Sequence, residues 1–202
     1  MKRCYATALF ILSTLTLPVF GKPMEKIDIK LNPHPKMRYE ITLTIEDAPG
    51  PFDAVEGSAG YEVANGDCVP LTPFSGATLT PRKNVPMALT RVSDKVYKGE
   101  LYVDLLTDED YFGRGLCRWS MTFANFDLQI GNLTFAQSIS LEDILASKPD
   151  TRYFNKLSYV SEDARSPKSD RPRGSSGNAS RAEFKDPTNT FSISLSAKEK
   201  FQ

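Results

Sequence analysis

From Met37 to Glu46 apolar and polar residues alternate without a break. Met37, Tyr39, Ile41, Leu43 and Ile45 take one face, and Arg38, Glu40, Thr42, Thr44 and Glu46 take the other. Successive side chains of a strand point to opposite faces, so this pattern predicts a half-buried strand. Asp47-Ala-Pro-Gly-Pro51 then breaks the chain. Val55 to Val63 reads as a weaker strand, in which Gly57 and Gly60 signal a bulge or a close backbone approach. Cys68 to Pro73, Ser75-Gly76 and Thr80-Pro81 read as loop. Val85 to Val92 and Lys95 to Leu106 then predict a hairpin around Ser93-Asp94, with Tyr97, Gly99, Leu101, Val103 and Leu105 sharing a face.

The strongest apolar pattern runs from Gly115 to Ile130. Cys117, Trp119, Met121 and Phe123 fall on one face. Phe126, Leu128 and Ile130 follow after a change of phase near Ala124-Asn125. Gly131-Asn132 predicts a turn, Phe135 to Leu141 a returning strand, and Leu141 to Ser147 one or two helical turns. Short strands separated by frequent turns predict an all-β fold, a β-sandwich of loosely immunoglobulin-like architecture. The likeness is loose because Tyr111 lies six residues before Cys117, where the tyrosine corner of that fold needs two.

The first residues are of another kind. Lys2 and Arg3 precede an apolar run of 14 residues, Ala6 to Val19, and Val19-Phe20-Gly21 offers a cleavage site. This is the layout of a secretory signal peptide over 1–21. A spanning helix needs about 20 apolar residues, so no integral membrane anchor is expected here. Export to the periplasm is the expected localisation.

Composition adds to this picture mainly by exclusion. The chain of 202 residues carries 25 basic and 25 acidic side chains. Such a balance makes no general electrostatic case for nucleic acid. Two cysteines remain beyond residue 21, Cys68 and Cys117, and an even pair in an exported chain predicts one disulfide. Closing a loop of that length is worth about 4 kcal/mol at most in the chain-entropy model. From 161 to 187 only Ala164, Ala179, Ala182 and Phe184 are apolar. That composition predicts a disordered linker after a sandwich domain over 22–160. Phe191, Ile193 and Leu195 resume the alternation, so 188–202 forms either a last strand or a tail.

Candidate chemistry is sparse. His34 is the single imidazole and sits between prolines in Asn-Pro-His-Pro. Glu56 stands where the first Gly of a nucleophile elbow belongs before Ser58. With both thiols expected to pair, no nucleophile–base set is legible, and no enzyme is expected. The acidic run is the richer feature: Asp104, Asp108, Glu109 and Asp110 precede Tyr111 and Phe112, with Arg114 close behind. Acidic and aromatic residues together suit a recognition loop, with the two rings as anchors. A solvated loop on a buried Tyr is the plainer reading. A calcium site is the remaining one, although the run lacks the alternating ligands of an EF-hand loop, and no cofactor is expected.

One set of residues carries a family resemblance. It comprises Tyr61-Glu-Val, Cys68-Val-Pro, Ser75-Gly-Ala, Val85-Pro, Val96-Tyr-Lys-Gly, Tyr102-Val-Asp-Leu-Leu, Asp108-Glu-Asp-Tyr-Phe-Gly113 and Cys117-Arg-Trp119. The stretch from Pro51 to Leu141 resembles a family of small exported proteins of Gram-negative bacteria. Such sets accompany antibacterial effectors delivered by contact-dependent secretion. The resemblance implies a periplasmic immunity protein that binds and neutralises a secreted toxin, an envelope-targeting hydrolase. It implies no catalytic residues. The alternative is a calcium- or small-ligand-binding module of the envelope.

Overall fold

The computed structural model describes residues 27–72, 75–162 and 173–201, so the signal peptide expected over 1–21 lies outside the described residues. Ten strands form two sheets of five. The strands are β1 (Arg38–Glu46), β2 (Ala54–Val63), β3 (Arg82–Met87), β4 (Leu89–Ser93), β5 (Val96–Tyr102), β6 (Trp119–Ile130), β7 (Leu133–Ser140), β8 (Asp150–Asn155), β9 (Arg173–Ser175) and β10 (Thr190–Glu199). One sheet has the order β4-β5-β1-β10-β8 and the other β3-β2-β6-β7-β9. All pairs are antiparallel except β7 with β9. Two short helices, α1 (Leu141–Leu145) and α2 (Lys156–Val160), follow β7 and β8.

The alternation along β1 places Tyr39, Ile41, Leu43 and Ile45 in the core, opposite Met121, Phe126, Leu128 and Phe135 of the second sheet. This is an all-β sandwich. Its last described strand is interior to a sheet rather than at an edge. β10 pairs with β1 from Ser192↔Glu46 to Glu199↔Tyr39, and with β8 on its other side. The domain expected over 22–160 is therefore completed by 190–199.

The structure corrects three other expectations. Val85 to Val92 is not one strand. The chain changes sheets at Ala88, so β3 and β4 belong to different layers. The crossing runs close over Gly99, where a Cβ would lie 2.7 Å from Leu89 and 2.8 Å from Met87. Phe123 does not share the face of Met121. Gly60 pairs with Phe123 and Tyr61 with Met121, which leaves Thr122 as an extra residue on β6. That bulge turns Phe123 outward, to 37% exposure. The glycines of β2 signalled it, but the inserted residue sits on the partner strand.

The third correction concerns the linker expected over 161–187. Residues 163–172 lie outside the described residues, but 173–187 is built into the fold. β9 pairs with β7 at Leu133–Phe135, and Asn178 exchanges two backbone hydrogen bonds of 2.9 Å with Tyr153. A capping box at Ser180 closes a 3-10 turn, and Arg181 lies 5.0 Å over the Tyr153 ring. Composition misses such order because it comes from backbone hydrogen bonds to existing strands, not from apolar burial.

Candidate functional site

The loop from Val103 to Arg118 leaves the end of β5 and returns into β6. Its first part is held by the segment before β1. Asn32 N–H donates to Leu105 O at 2.7 Å, and Thr107 N–H to Lys30 O at 3.0 Å. Asp104 accepts hydrogen bonds from the amides of Lys36 and Met37, each at 2.9 Å. Its carboxylate thus fixes the entry to β1.

The acidic run behaves in the same way. Asp108 accepts from Trp119 N–H at 2.8 Å. Glu109 forms an ion pair with Lys30 at 2.7 Å, and its backbone oxygen accepts from Cys117 N–H at 3.0 Å. Asp110 accepts from Arg114 N–H at 2.9 Å across a turn in which Gly113 and Gly115 take φ of 68° and 104°. Desolvation raises the pKa of Asp110. Backbone amides of Arg114, Gly115, Phe112 and Gly113 outweigh it and hold the carboxyl below its usual value. Among the described residues no three His, Cys, Asp or Glu side chains converge on a metal-sized site.

The aromatic residues of the loop face inward. Tyr111 donates its hydroxyl to Thr107 O at 2.6 Å, and its ring meets Trp119 edge-on at 6.3 Å. Tyr111, Phe112 and Trp119 cover a small cluster of Val63, Cys68, Val69 and Cys117. The predicted disulfide is present, with a Cα–Cα separation of 5.3 Å between Cys68 and Cys117. It ties the loop after β2 to the loop before β6, strands that are neighbours in one sheet. In the immunoglobulin fold the bond instead joins sheet to sheet.

Asn65 is the residue that the sequence reading missed. Its side-chain amide donates to Leu116 O at 2.9 Å and accepts from Arg118 N–H at 2.7 Å, so it stitches the two loops beside the disulfide. An Asn before Gly66 reads as a turn and gives no advance sign of a partner fifty residues away. The loops also present residues beyond those expected: Leu71, Leu79 and Leu116 are at least half exposed, and Arg118 is exposed. Of the predicted contact residues, Asp104, Glu109, Tyr111 and Phe112 are half-buried, and Asp108, Asp110 and Arg114 are exposed.

His34 lies elsewhere, in a cleft of about 270 Å³ lined by Pro35, Lys36, Arg38, Tyr102 and Lys200. Among the described residues no Ser, Thr or carboxylate lines that cleft with it. Among the described residues no helix is long and apolar enough to cross a membrane. No family model, no curated protein and no solved structure matches this chain.

Proposed function

We propose that the protein is an exported binder, an immunity protein that occludes a secreted, envelope-targeting hydrolase in the periplasm. One observation carries the reading: the disulfide-linked loops are ordered by their own side chains before any partner arrives. Asp108, Asp110 and Asn65 each hold a backbone amide of the loop pair. A loop fixed in advance loses little conformational entropy on docking, which favours tight association. Its outward residues include Arg114 and Arg118, of a type enriched in protein interfaces for its directed hydrogen bonds, beside the exposed apolar side chain of Leu116. The Cys68–Cys117 bond supports an oxidising compartment.

The acidic run takes a different role from that of a contact patch. Its carboxylates shape the loop, and the neighbouring exposed side chains make the contact. The test uses the oxidised chain from residue 22 onward as bait, followed by an activity assay of any hydrolase it retains. We expect stoichiometric inhibition, lost in Leu116→Asp and Arg114→Glu variants that melt like the parent. Retention without inhibition, or inhibition indifferent to both variants, would contradict the reading. A calcium-binding role would instead show as a rise in melting temperature with Ca²⁺ and its loss with chelator.

A further inference from the structure

A second surface lies on the side of the molecule where β3 leaves its sheet. β3 pairs with β2 only from Gly57 to Glu62, then turns away at Ala88 into the other layer. Ala54, Val55 and Glu56 pair with β6 on one side and have no described strand on the other. A strand edge left open in this way is a template for a further strand. It opens into a cleft of about 480 Å³ whose apolar wall includes Val55, Met87 and Leu89.

The charges above that wall define what fits. Glu56 and Asp127 are directly opposed across β2 and β6 and line the same cleft. Neither makes an ion pair or hydrogen bond with a described residue, whereas Glu62, further along β2, is paired with Arg82 at 3.2 Å. Like charges opposite one another weaken a sheet, and a cation placed between them reverses the sign. Carboxylates, an apolar wall and an open backbone edge meet in one place.

We propose that this cleft receives an extended segment of a protein partner that carries a lysine or arginine. The segment adds beside Ala54–Glu56, with its basic side chain toward Glu56 and Asp127 and an apolar neighbour against Met87 and Leu89. The open edge spans three residues, about 10 Å at the rise of a strand, so it suits a short segment and one basic anchor. The proposal rests on the reading of the protein as a binder of proteins, and it adds a second contact, remote from the disulfide-linked loops.

The experiment titrates the isotope-labelled chain from residue 22 onward with the capped peptide Thr-Lys-Val-Lys-Thr. The capped peptide Thr-Glu-Val-Glu-Thr and a neutral trisaccharide of N-acetylglucosamine serve as controls. Amide shifts confined to Ala54–Ser58 and the neighbours of Asp127, seen with the lysine peptide alone, are the expected result. The E56Q/D127N variant should weaken that binding about tenfold, the scale of a lost charge contact, without lowering the melting temperature. Shifts elsewhere, no shifts, equal response to the glutamate peptide, response to the saccharide alone, or unchanged binding by the variant would each overturn the proposal. No toxin enters this titration, so its failure is distinct from failure of the immunity reading.

Discussion

At one end of the sandwich, Phe52, Phe135, Phe154, Tyr159 and Phe191 bring five rings together from both sheets and α2. Phe135 lies 5.2 Å from Phe191, Phe154 lies 5.3 Å from Phe191, and Phe52 lies 5.5 Å from Tyr159. Tyr159 also donates its hydroxyl to Pro51 O. At the other end of β2, about 30 Å away at the rise of a strand, Val63, Cys68, Val69 and Cys117 form a separate and smaller cluster. The first end is held by apolar area that only the folded pair of sheets can bury. The second has little such area, and a covalent bond and backbone-directed carboxylates take its place. The difference suits the division of roles proposed here: the aromatic end makes the sandwich, and the disulfide end makes a rigid presentation surface on it.

Substitutions at the two ends should therefore differ in kind. Phe135 is fully buried and touches four other rings, so Phe135→Ala should cost about 3–5 kcal/mol and lower the midpoint of global unfolding in denaturant. Replacing Cys68 and Cys117 together by Ala should cost less, about 2–4 kcal/mol, and leave the far-ultraviolet circular dichroism of the sheets unchanged. An equal or larger loss with collapse of the sheet signal would erase the distinction between the ends.

The smallest effect concerns Asp110. Its folded pKa lies below the usual carboxyl value, so its contribution is present above pH 3.8 and is lost as pH falls below that through the depressed value. Amide resonances of Arg114 and Gly115 should shift over that acidic window in the parent. In an Asp110→Asn variant they should not follow it, and they should exchange faster at neutral pH. A pH-independent loop in the parent would contradict the capping role.

How much of this was legible follows from what each pattern encodes. Strict alternation marked β1 and the later part of β6, because period two has one meaning when one face is buried. The split between β3 and β4 was hidden, since Val85, Met87 and Leu89 keep the alternation across the crossing at Ala88, and Pro86 lies within β3 rather than at the crossing. β8, Asp-Thr-Arg-Tyr-Phe-Asn, buries only Phe154 deeply and gives no alternating signal. The disulfide was legible from parity alone. The direction of the acidic side chains was not, because an aspartate that caps its own loop and one that meets a partner are the same letter. The positive φ of Gly113 and Gly115 decides between them here, and it is a property of the fold.

The distinction between the two ends requires that the disulfide end be ordered locally and apart from the main core. Native-state hydrogen exchange on the chain from residue 22 onward, with and without Cys68 and Cys117, tests it most directly. Exchange should be faster in the variant for amides of 64–69 and 107–118, with β1, β6 beyond Met121, β7 and β10 protected in proportion to their global stability. Loss of protection spread evenly over both sheets, or no change in the two loops, would contradict it.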